Sequence, residues 1–278
     1  MDYKKILTIQ DVSCVGQCSL TVALPIISAC GVETCILPSA VLSTHTGGFK
    51  GFTFRDLTED MPAIRRHWQT QGISFDAVYT GYLGSAKQIE HVIDILDTMR
   101  KPGAPAIIDP AMADNGVLYT GFDAAFVEAM KALCAKADVA LPNITEACLL
   151  TGTEYRESYD ESYVMGLVEK LHGLGAGTVV LTGVSYKPEK TGVAIYDGGG
   201  LSYYEHQRLA GGCHGTGDIY ASAFVGSLMN GRGVDAAARI AADFTVKCIE
   251  NTQGDESHWY GAKFETALPA LIKMLGLG

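Results

Sequence analysis

The chain alternates short apolar segments with longer segments of helical periodicity over nearly its whole length, and this alternation limits its possible folds most strongly. The short segments are apolar at successive positions and rich in β-branched residues, as in AVYT, AIID and TVVLT. Strands of this kind are apolar on both sides, so a sheet made from them needs helices on both of its faces. The sequence therefore predicts an α/β fold with a central, mostly parallel sheet. Since no Pro- or Ser-rich linker divides the chain, residues 1–278 are expected to form a single domain.

The predicted elements follow from the apolar spacing and from the Gly, Pro and polar residues between segments. Strands are predicted at 5–10, 33–41, 77–80, 104–109, 138–141 and 178–182, with a hairpin at 191–196 and 201–206. Helices are predicted at 17–30, 55–71, 85–100, 121–136, 143–150, 158–174, 216–230, 234–252 and 264–274. In open sheets of this kind, ligands bind at the carboxyl ends of the strands. The loops that follow the strands are therefore the candidate site.

Composition and charge exclude several classes of protein. The 278 residues are 47% hydrophobic, so a large core can form without disulfides or structural metals. The formal net charge is −10, from 31 acidic and 21 basic residues, and no cluster of Lys and Arg is present. Because phosphate backbones are bound through clustered cationic side chains, we expect no nucleic-acid partner. No apolar segment reaches the ~20 residues that span a bilayer, so we expect no membrane partner.

The eight cysteines are spread mostly through apolar surroundings and form no C-x-x-C pair. The N-terminus lacks the apolar stretch of a secretory signal peptide. Both observations favour reduced thiols in a cytoplasmic protein. Metal binding by Cys14 and Cys18, or a redox function of the cysteines, is the alternative.

The segment GGCHGTGD at 211–218 opens a predicted helix. Its glycines allow the backbone to approach an anion closely, and the free N–H groups of a helix start point toward that anion. Asp218 stands beside these groups and could accept a hydroxyl proton while they stabilise a transferred phosphoryl group. An ordinary Gly-rich turn with a helix-start Asp is the alternative. The P-loop motif is absent, and Tyr220 stands where a dinucleotide-binding motif requires a third small residue.

Carboxylates follow two further predicted strands. Asp109 and Asp114 lie at and after the end of the AIID strand, where two carboxylates can hold a hydrated Mg²⁺ together with nucleotide oxygens. Asn143 and Glu146 follow the next strand and share one helix face. A capping box, in which both residues cap the helix start, is the alternative for this pair.

Segments along nearly the whole chain resemble the pyridoxal (vitamin B6) kinases of the ribokinase-like superfamily. They are ILTIQD near the N-terminus, PSAVLSTHTGGF, GYLGS at 81–85, IIDPAMADNGVLY, LPNITEACLLTG and GTGD at 215–218. GTGD with an upstream N-x-x-E is specific to the superfamily, whereas STHTG and GYLGS narrow the resemblance to the B6 kinases. The resemblance implies a ribokinase-like fold and ATP-dependent phosphorylation of the 5′-hydroxymethyl group of pyridoxal, pyridoxamine or pyridoxine.

The resemblance implies catalytic roles at the start of the predicted helix 216–230. Asp218 would be the general base, and Gly215, Thr216 and Gly217 would form an anion hole for the transferred group. ATP would be the co-substrate, used with Mg²⁺ and, as in several members of the family, a monovalent cation such as K⁺. Since members of the family are usually homodimers, a homodimer is expected here.

The resemblance also implies where the nucleotide and its metal bind. Asp109 and Glu146 would hold Mg²⁺, directly or through water. Asp114 would lie near the phosphates, and Asn143 and Thr182 match positions that the family places near the nucleotide.

Thr46 and Tyr82 fall where the family contacts the pyridine ring. Asp11 departs from the familiar form of the first loop, which has Ser at this position. A carboxylate there could pair with a protonated pyridine nitrogen or with the ring hydroxyl, so an altered vitamer preference is predicted. His45 is expected to be a loop or surface residue rather than a catalyst, since Asp218 already supplies the base.

Other functions stay open beside this one. A hydroxymethylpyrimidine kinase of thiamine synthesis is the alternative within the superfamily, because its substrate is also a flat heteroaromatic alcohol. A sugar kinase fits less well, since Tyr82 and a small loop suit a planar ring. A non-catalytic carrier or sensor of a B6 phosphate belongs to a different class. Replacing Asp218 by Asn separates a carrier from a kinase, because a carrier would keep its function.

Overall fold

The structure is a computed structural model that describes residues 3–209 and 213–278 of the chain. Gly211 and Gly212, part of the predicted anion-binding segment, lie outside the described residues. The strands are β1 (Lys5–Ser13), β2 (Glu33–Leu42), β3 (Phe54–Asp56), β4 (Ala77–Thr80), β5 (Ala106–Ile108), β6 (Ala113–Asp114), β7 (Val117–Leu118), β8 (Val139–Ala140), β9 (Thr178–Val184), β10 (Lys190–Tyr196) and β11 (Leu201–Gln207). The α-helices are α1 (Leu20–Ala29), α2 (Met61–Thr70), α3 (Ala86–Met99), α4 (Ala124–Cys134), α5 (Ile144–Thr151), α6 (Glu161–Gly173), α7 (Thr216–Met229), α8 (Val234–Thr252) and α9 (Leu268–Met274).

Nine of these strands form one sheet in the order β11-β10-β9-β8-β5-β4-β1-β2-β3. The pairs from β9 to β2 are parallel, whereas β10 and β11 at one end and β3 at the other pair antiparallel. β6 and β7 form a separate two-stranded hairpin. The predicted α/β fold with a mostly parallel sheet is therefore confirmed. Because the central strands are parallel, their carboxyl ends lie along one edge of the sheet.

Helices cover both faces of the sheet. On one face, α2 to α6 pack against side chains of the central strands such as Leu7 and Val78. On the other face, α1 and α7 to α9 pack against the alternate side chains, such as Ile6 and Ala77. Successive residues of a strand point to opposite faces, so each strand must be apolar at every position to fit both layers. All four of these side chains are fully buried, and burying a side chain the size of Leu or Ile contributes roughly 1.5–3 kcal/mol.

The strand β1 is longer than predicted and extends past Gln10 to Ser13. Its pairing with β2 shifts in register just after Gln10, which lies opposite Pro38. A proline has no N–H group for the ladder, and an irregularity beside it changes the direction of the following side chains. This extension carries Asp11 and Ser13 along the carboxyl edge of the sheet.

Two helices differ most from the prediction at their N-terminal ends. The helix predicted at 55–71 begins only at Met61, because the residues of β3 (Phe54–Asp56) pair with β2 instead. Pro62 fits in the first turn of this helix, because the N–H groups of a first turn have no acceptor within the helix. The helix predicted at 264–274 is divided into a 3₁₀ turn followed by α9. Pro269 lies in the first turn of α9 and cannot donate the N–H that would continue one helix through it.

No helix in the described part of the chain is both long enough and apolar enough to cross a membrane. All eight cysteines are free thiols. Cys14 is exposed and Cys18 is half-buried, and the described ranges contain no group of three or more His, Cys, Asp or Glu side chains arranged to hold a metal ion.

Candidate active site

The start of α7 has no side-chain cap. Its N-cap is Gly215, which has a left-handed φ of 76° and provides no side-chain cap. A Cβ at this position would lie 1.6 Å from the Gln17 carbonyl oxygen, so only glycine fits. The first intrahelical bond runs from the Ile219 N–H to the Gly215 carbonyl at 2.9 Å. The N–H groups of Thr216 and Gly217 precede it, have no acceptor within the helix and can bind an anion.

Asp218 lies in the first turn of α7, and its side chain is partly exposed. Burial raises the pKa of its carboxyl from 3.8 to about 7; a hydrogen bond from the Ser19 backbone N–H opposes this shift, and the negative charge of Asp11 reinforces it. A carboxylate with a pKa near physiological pH can accept a proton from a hydroxyl and release it again. Its position and its acidity both suit the predicted general base.

Asp11 is the second carboxylate on this side of the site. Its side chain is 5% exposed, and its Oδ2 accepts a hydrogen bond from the Ser13 hydroxyl at 2.9 Å. Burial raises the pKa of Asp11, and hydrogen bonds from the hydroxyls of Ser19 and Ser13 act in the opposite direction. Because its charge raises the pKa of Asp218, the residue that departs from the family pattern lies close to the predicted base.

Tyr82 shares the surroundings of Asp11. It is half-buried, and its pKa is raised by burial and by the negative charges of Asp11 and Asp56. Its ring lies 5.6 Å from the ring of Phe122. Thr46 is exposed in the loop between β2 and β3. The negative charge of Asp11 acts on Tyr82, whereas the contact of Thr46 with a planar ligand stays a prediction.

His45 is buried within its loop rather than lying at the surface. Its Nδ1 accepts a hydrogen bond from the Gly47 N–H at 3.0 Å, and its Nε2 lies 2.7 Å from the Tyr260 carbonyl oxygen. An amide donor at Nδ1 and a carbonyl acceptor at Nε2 assign the neutral tautomer with its proton on Nε2. His45 therefore joins the loop that carries Thr46 to the C-terminal part of the chain.

Asp109 and Glu146 form another acidic group at the same edge. Asp109 follows β5, and its N–H donates to the Thr80 carbonyl at 3.0 Å. Burial raises the pKa of Asp109 well above its ordinary value, and the negative charges of Glu146 and Asp218 raise it further. Burial also raises the pKa of Glu146 to about 8, although backbone hydrogen bonds, first that from Asn143, oppose the shift. Buried carboxyls that repel one another in this way favour a bound cation.

The start of α5 is a capping box formed by Asn143 and Glu146. The Asn143 side-chain oxygen accepts a hydrogen bond from the Glu146 N–H at 2.9 Å, and Glu146 Oε2 accepts one from the Asn143 N–H at 2.8 Å. Glu146 Oε1 accepts from the Met112 N–H at 3.1 Å, and Asn143 Nδ2 donates to the Ala113 carbonyl at 2.8 Å. The capping box, which is the alternative to a binding role for Asn143 and Glu146, is therefore present. Each Glu146 oxygen still has a second lone pair, so its role toward Mg²⁺ or its water stays a prediction.

The acidic group fits a hydrated Mg²⁺. Asp109 and Glu146 supply carboxylate oxygens, which are the ligands that Mg²⁺ prefers in proteins. Within residues 3–209 and 213–278 no three His, Cys, Asp or Glu side chains are arranged around a metal position. Water and nucleotide oxygens would therefore complete the six ligands of the ion.

The other residues predicted near a nucleotide lie beside this group. Asp114 is exposed at the end of β6, and its carboxylate accepts from the backbone and side-chain N–H groups of Asn115 at 2.8 and 3.0 Å. Thr182 in β9 forms a bridge with Asn143, and its hydroxyl lies 3.4 Å from the Pro142 carbonyl oxygen. These positions adjoin the carboxyl edge, and contact with a nucleotide stays a prediction for each of them.

Ser19 is a residue of this site that the sequence does not reveal. Its hydroxyl interacts with Asp11 and its backbone N–H with Asp218. A serine before an apolar segment is typical of an ordinary N-cap, and the predicted helix 17–30 even places Ser19 inside the helix. In the structure α1 begins at Leu20, and Ser19 has a left-handed φ of 54°. This backbone conformation depends on the tertiary fold, and no local sequence motif predicts it.

Comparison with known proteins gives consistent matches. A model of the phosphomethylpyrimidine kinase family matches residues 24–261. A pyridoxine kinase of Bacillus subtilis (strain 168) is 31% identical over 188 residues, which cover 66% of this chain and 67% of the relative. A Bacteroides thetaiotaomicron protein, crystallised with pyridoxal and provisionally named a phosphomethylpyrimidine kinase, has a TM-score of 0.92 at 38% identity over 97% of this chain and 96% of that chain. The pyridoxal kinase of Lactobacillus plantarum has a TM-score of 0.90 at 31% identity over 98% and 97% of the two chains.

A more distant structure has the same fold. The pyridoxal kinase of Leishmania donovani, solved in complex with ADP and pyridoxamine, has a TM-score of 0.86 at 22% identity over 96% of this chain and 95% of that chain. Together the comparisons confirm the resemblance to the B6 kinases and the ribokinase-like fold. The matches divide between kinases named for a B6 vitamer and a family named for a pyrimidine.

Proposed function

The chain belongs to the phosphomethylpyrimidine kinase family, and from this premise we propose that it phosphorylates the 5′-hydroxymethyl group of pyridoxal, pyridoxamine or pyridoxine. The coarser assignment, a kinase of B6 or pyrimidine substrates, follows from relatives of both kinds. ATP is the proposed phosphoryl donor, supported by the ADP complex of the Leishmania donovani kinase. A homodimer belongs to the same proposal and rests on the family resemblance alone, whereas the proposed cytoplasmic location rests on the free cysteines.

The main support for the proposal is the start of α7, which has no side-chain cap and contains Asp218 in its first turn. Asp218 takes the proton of the hydroxymethyl group while that oxygen forms a bond to the γ-phosphorus. The bond from the γ-phosphorus to the bridging oxygen breaks, and its electron pair leaves with ADP. The N–H groups of Thr216 and Gly217 hold the negative charge of the transferred group during this step. Turnover therefore needs Asp218 ionised when substrate binds.

Mg²⁺ would neutralise charge on the nucleotide phosphates, and Asp109 and Glu146 are the residues proposed to hold it, directly or through water. Burial raises the pKa of both Asp109 and Glu146, and the negative charge of Glu146 raises that of Asp109 further, which supports this assignment. Asp114, Asn143 and Thr182 are proposed to line the nucleotide side. A monovalent cation such as K⁺ stays an expectation without an assigned residue.

Asp11 supports a B6 vitamer as the substrate. Its buried carboxyl can accept a hydrogen bond from a protonated pyridine nitrogen or from the ring hydroxyl, and Tyr82 offers a flat surface close by. The pyridoxal in the 38%-identical Bacteroides thetaiotaomicron structure supports the same choice. A hydroxymethylpyrimidine also carries ring nitrogens and an amino group, so the name of the matching family keeps this substrate as the second candidate.

A substrate panel tests the proposal. The purified protein is incubated with ATP and Mg²⁺ and with pyridoxal, pyridoxamine, pyridoxine, hydroxymethylpyrimidine or ribose, and the phosphorylated product is identified by mass. Turnover on at least one B6 vitamer, at a kcat/KM above that for the pyrimidine, is the expected result. Turnover on the pyrimidine alone would assign the protein to thiamine-precursor phosphorylation. Turnover on none of the five would refute the proposed function.

The variants Asp11→Ser and Asp11→Asn test the choice among vitamers. A hydrogen bond to a charged group contributes ~1.5–3 kcal/mol, so its loss should lower kcat/KM for the preferred vitamer by roughly 10- to 100-fold and change the ranking. Ser28→Ala, an exposed change on α1, is the matched control. An unchanged ranking of KM values in both Asp11 variants would contradict the assignment of Asp11 to the ring.

A further inference from the structure

Gln88 is a fully buried polar residue in the first turn of α3. Its Oε1 accepts the Gly84 N–H at 2.7 Å, and its Nε2 donates to the Ser39 carbonyl at 2.9 Å and to the Thr58 hydroxyl at 3.0 Å. A backbone N–H can donate only to the side-chain oxygen, and a carbonyl can accept only from the side-chain nitrogen, so these partners fix the orientation of the amide. The side chain therefore bonds α3 to three other segments of the chain.

The local sequence explains only one of these bonds. Ser85 is the N-cap of α3 and accepts the Gln88 N–H at 3.2 Å. A Gln at this spacing completes a capping box when it accepts the N–H of the cap residue itself. Here it accepts the N–H of Gly84, one residue earlier, and its amide nitrogen bonds residues 49 and 30 positions away. The bonds to these distant residues are not needed to cap the helix.

The bonds of Gln88 reach the backbone on both sides of Tyr82, which lies in the loop between β4 and α3. Gly84, two residues after Tyr82, donates its N–H to Gln88 directly. The Tyr82 carbonyl accepts from the hydroxyl of the fully buried Ser39 at 3.2 Å. Because Ser39 accepts from Gln88 through its carbonyl, Tyr82 is connected to Gln88 by two routes.

The other partners of Gln88 give this loop a fixed support. Ser39 lies in β2, and its carbonyl also accepts from the Leu57 N–H, just after β3, at 3.1 Å. Thr58 follows in the same segment and is 8% exposed. Both ends of the β2–β3 hairpin therefore meet at one amide. Since a buried polar group that loses its partner is costly, the loop at 81–85 stays attached to this hairpin.

We propose that Gln88 is a positioning residue that holds Tyr82 in place against the ring of the substrate. The inference rests on the proposed function, because Tyr82 is the residue assigned to that ring. Gln88 acts through Gly84 and Ser39 and supplies no group to the reaction. A buried cap without this role would contribute to stability alone.

Gln88→Met keeps the length of the side chain and removes its three hydrogen bonds. The loop at 81–85 is then free to shift, and a displacement of about 1 Å in a positioning group can cost up to ~100-fold in rate. We expect KM for the preferred alcohol to rise about tenfold while KM for ATP stays within about twofold. The reason for the difference is that Asp114, Asn143 and Thr182, proposed for the nucleotide, lie on other elements.

Arg100→Met is the matched control at the other end of the same helix. The Arg100 Nε donates to the Leu96 carbonyl at 2.9 Å, and its Nη1 donates to the Ala104 carbonyl at 3.0 Å. This variant should lower the melting temperature and leave both KM values unchanged. The same pattern in Gln88→Met, with stability lost and both KM values unchanged, would overturn the proposal.

Two further variants keep the test decisive. Ser39→Ala removes only the hydroxyl that donates to Tyr82, so it should raise KM for the alcohol about threefold, the effect of one neutral hydrogen bond, even where Gln88→Met folds poorly. In a Tyr82→Ala background, Gln88→Met should not raise KM for the alcohol further, because the positioned ring is gone. Equal increases in KM with and without Tyr82 would contradict the positioning role.

The position of Tyr82 is measured without substrate by ¹⁹F NMR of protein containing fluorotyrosine, with its resonance assigned from Tyr82→Phe. Gln88→Met and Ser39→Ala should shift this resonance, and Arg100→Met should not. A shifted resonance in a protein that phosphorylates none of the panel would uphold the attachment of Tyr82 and refute the proposed function. An unshifted resonance in an active kinase would refute the role of Gln88 and leave the proposed function in place.

Discussion

Helices α5 and α7 both begin near the carboxyl edge of the sheet, but they treat their first-turn N–H groups differently. At α5, the Asn143 side chain accepts the Glu146 N–H, and the Glu146 side chain accepts the Asn143 N–H. At α7, Gly215 has no side chain to accept a bond, and the N–H groups of Thr216 and Gly217 have no acceptor within the helix. The first-turn N–H groups of α5 are therefore bonded by the side chains of the cap, whereas those of α7 can bind a ligand. The difference shows that the cap, and not the helix alone, decides whether a helix start can bind an anion.

The largest effect is expected when the open start of α7 is blocked. Gly215→Ala places a Cβ against the Gln17 carbonyl, so the first turn of α7 must move and its N–H groups lose their alignment. We expect kcat to fall by at least ~100-fold, the cost of losing a donor to a developing negative charge. The measurement is kcat of the folded variant on the preferred alcohol.

Gly152→Ala is the matched control for this change. Gly152 ends α5 with a φ of 63°, and nothing lies within 4 Å of a Cβ built there. Its substitution should cost about 1 kcal/mol of folding free energy through the left-handed backbone alone and leave kcat unchanged. Equal kcat values for Gly215→Ala and Gly152→Ala would contradict the role given to the start of α7.

A change of pH from 6 to 8 is expected to change kcat/KM by about tenfold, which is less than the effect of Gly215→Ala. The pKa of Asp218 is raised to about 7 by burial, so the ionised fraction of this base increases about tenfold from pH 6 to pH 8. We expect kcat/KM to rise by that factor and then level off. A profile that is flat between pH 6 and pH 8 would show that Asp218 does not limit the reaction in this range.

The same groups set the pH dependence of folding stability. Asp218 and Glu146 have folded pKa values of about 7 and about 8, above their ordinary values of 3.8 and 4.5. The folded state therefore binds more protons than the unfolded state between these limits, and the free energy of unfolding falls as pH rises through this range. Thermal melts of the ligand-free protein at pH 5 and pH 8 check the sign, and a higher melting temperature at pH 8 would contradict it.

The self-capped start of α5 gives an effect of about 1 kcal/mol. Asn143→Ala removes the side-chain cap and should lower the free energy of unfolding by about 1 kcal/mol. Asp160→Ala removes the comparable cap of α6, which accepts the Tyr163 N–H at 2.9 Å, and should cost about the same. Only Asn143→Ala is expected to raise KM for ATP as well, by about fivefold. An unchanged KM would restrict Asn143 to the capping role.

The smallest effect is expected from a change within α7 that alters the stability of the helix and not the function of its first turn. The Tyr220 hydroxyl is buried without a hydrogen-bond partner in the part of the chain that the structure describes. Tyr220→Phe should therefore raise the free energy of unfolding by about 1 kcal/mol and leave kcat unchanged. Tyr163→Phe is the control, since its hydroxyl donates to the Glu154 carbonyl at 2.6 Å and its loss should destabilise the protein. Denaturant unfolding measures both variants, and a destabilised Tyr220→Phe would contradict this account.

Much of the fold and part of the site could be predicted from the sequence, because local patterns determine them. Strands apolar at every position predict the two-sided sheet, and the spacing of Asn143 and Glu146 predicts the capping box as one of two alternatives. The glycine before α7 likewise marks its uncapped start. In each case the residues that interact lie within a few positions of one another.

The parts that could not be predicted depend on contacts between distant segments. The positive φ of Ser19 occurs in a loop whose Gln17 carbonyl lies against Gly215 at the start of α7. The burial of His45 depends on the Tyr260 carbonyl, 215 positions away in the chain. The extension of β1 that carries Asp11 depends on its pairing with β2. No local sequence pattern specifies such contacts, so the sequence places Ser19 inside a helix, His45 in a loop and Asp11 just after the end of the first strand.

The most direct test of the central claim compares Asp218→Asn with the wild-type protein on the preferred alcohol, with kcat, KM and the affinity for ATP measured on both. Asn keeps the size of the side chain but cannot take a proton at neutral pH. The account predicts a fall in kcat of at least ~100-fold with nearly unchanged KM and ATP affinity. Turnover within about threefold of wild type would contradict the assignment of Asp218 as the base and, with it, the proposed mechanism.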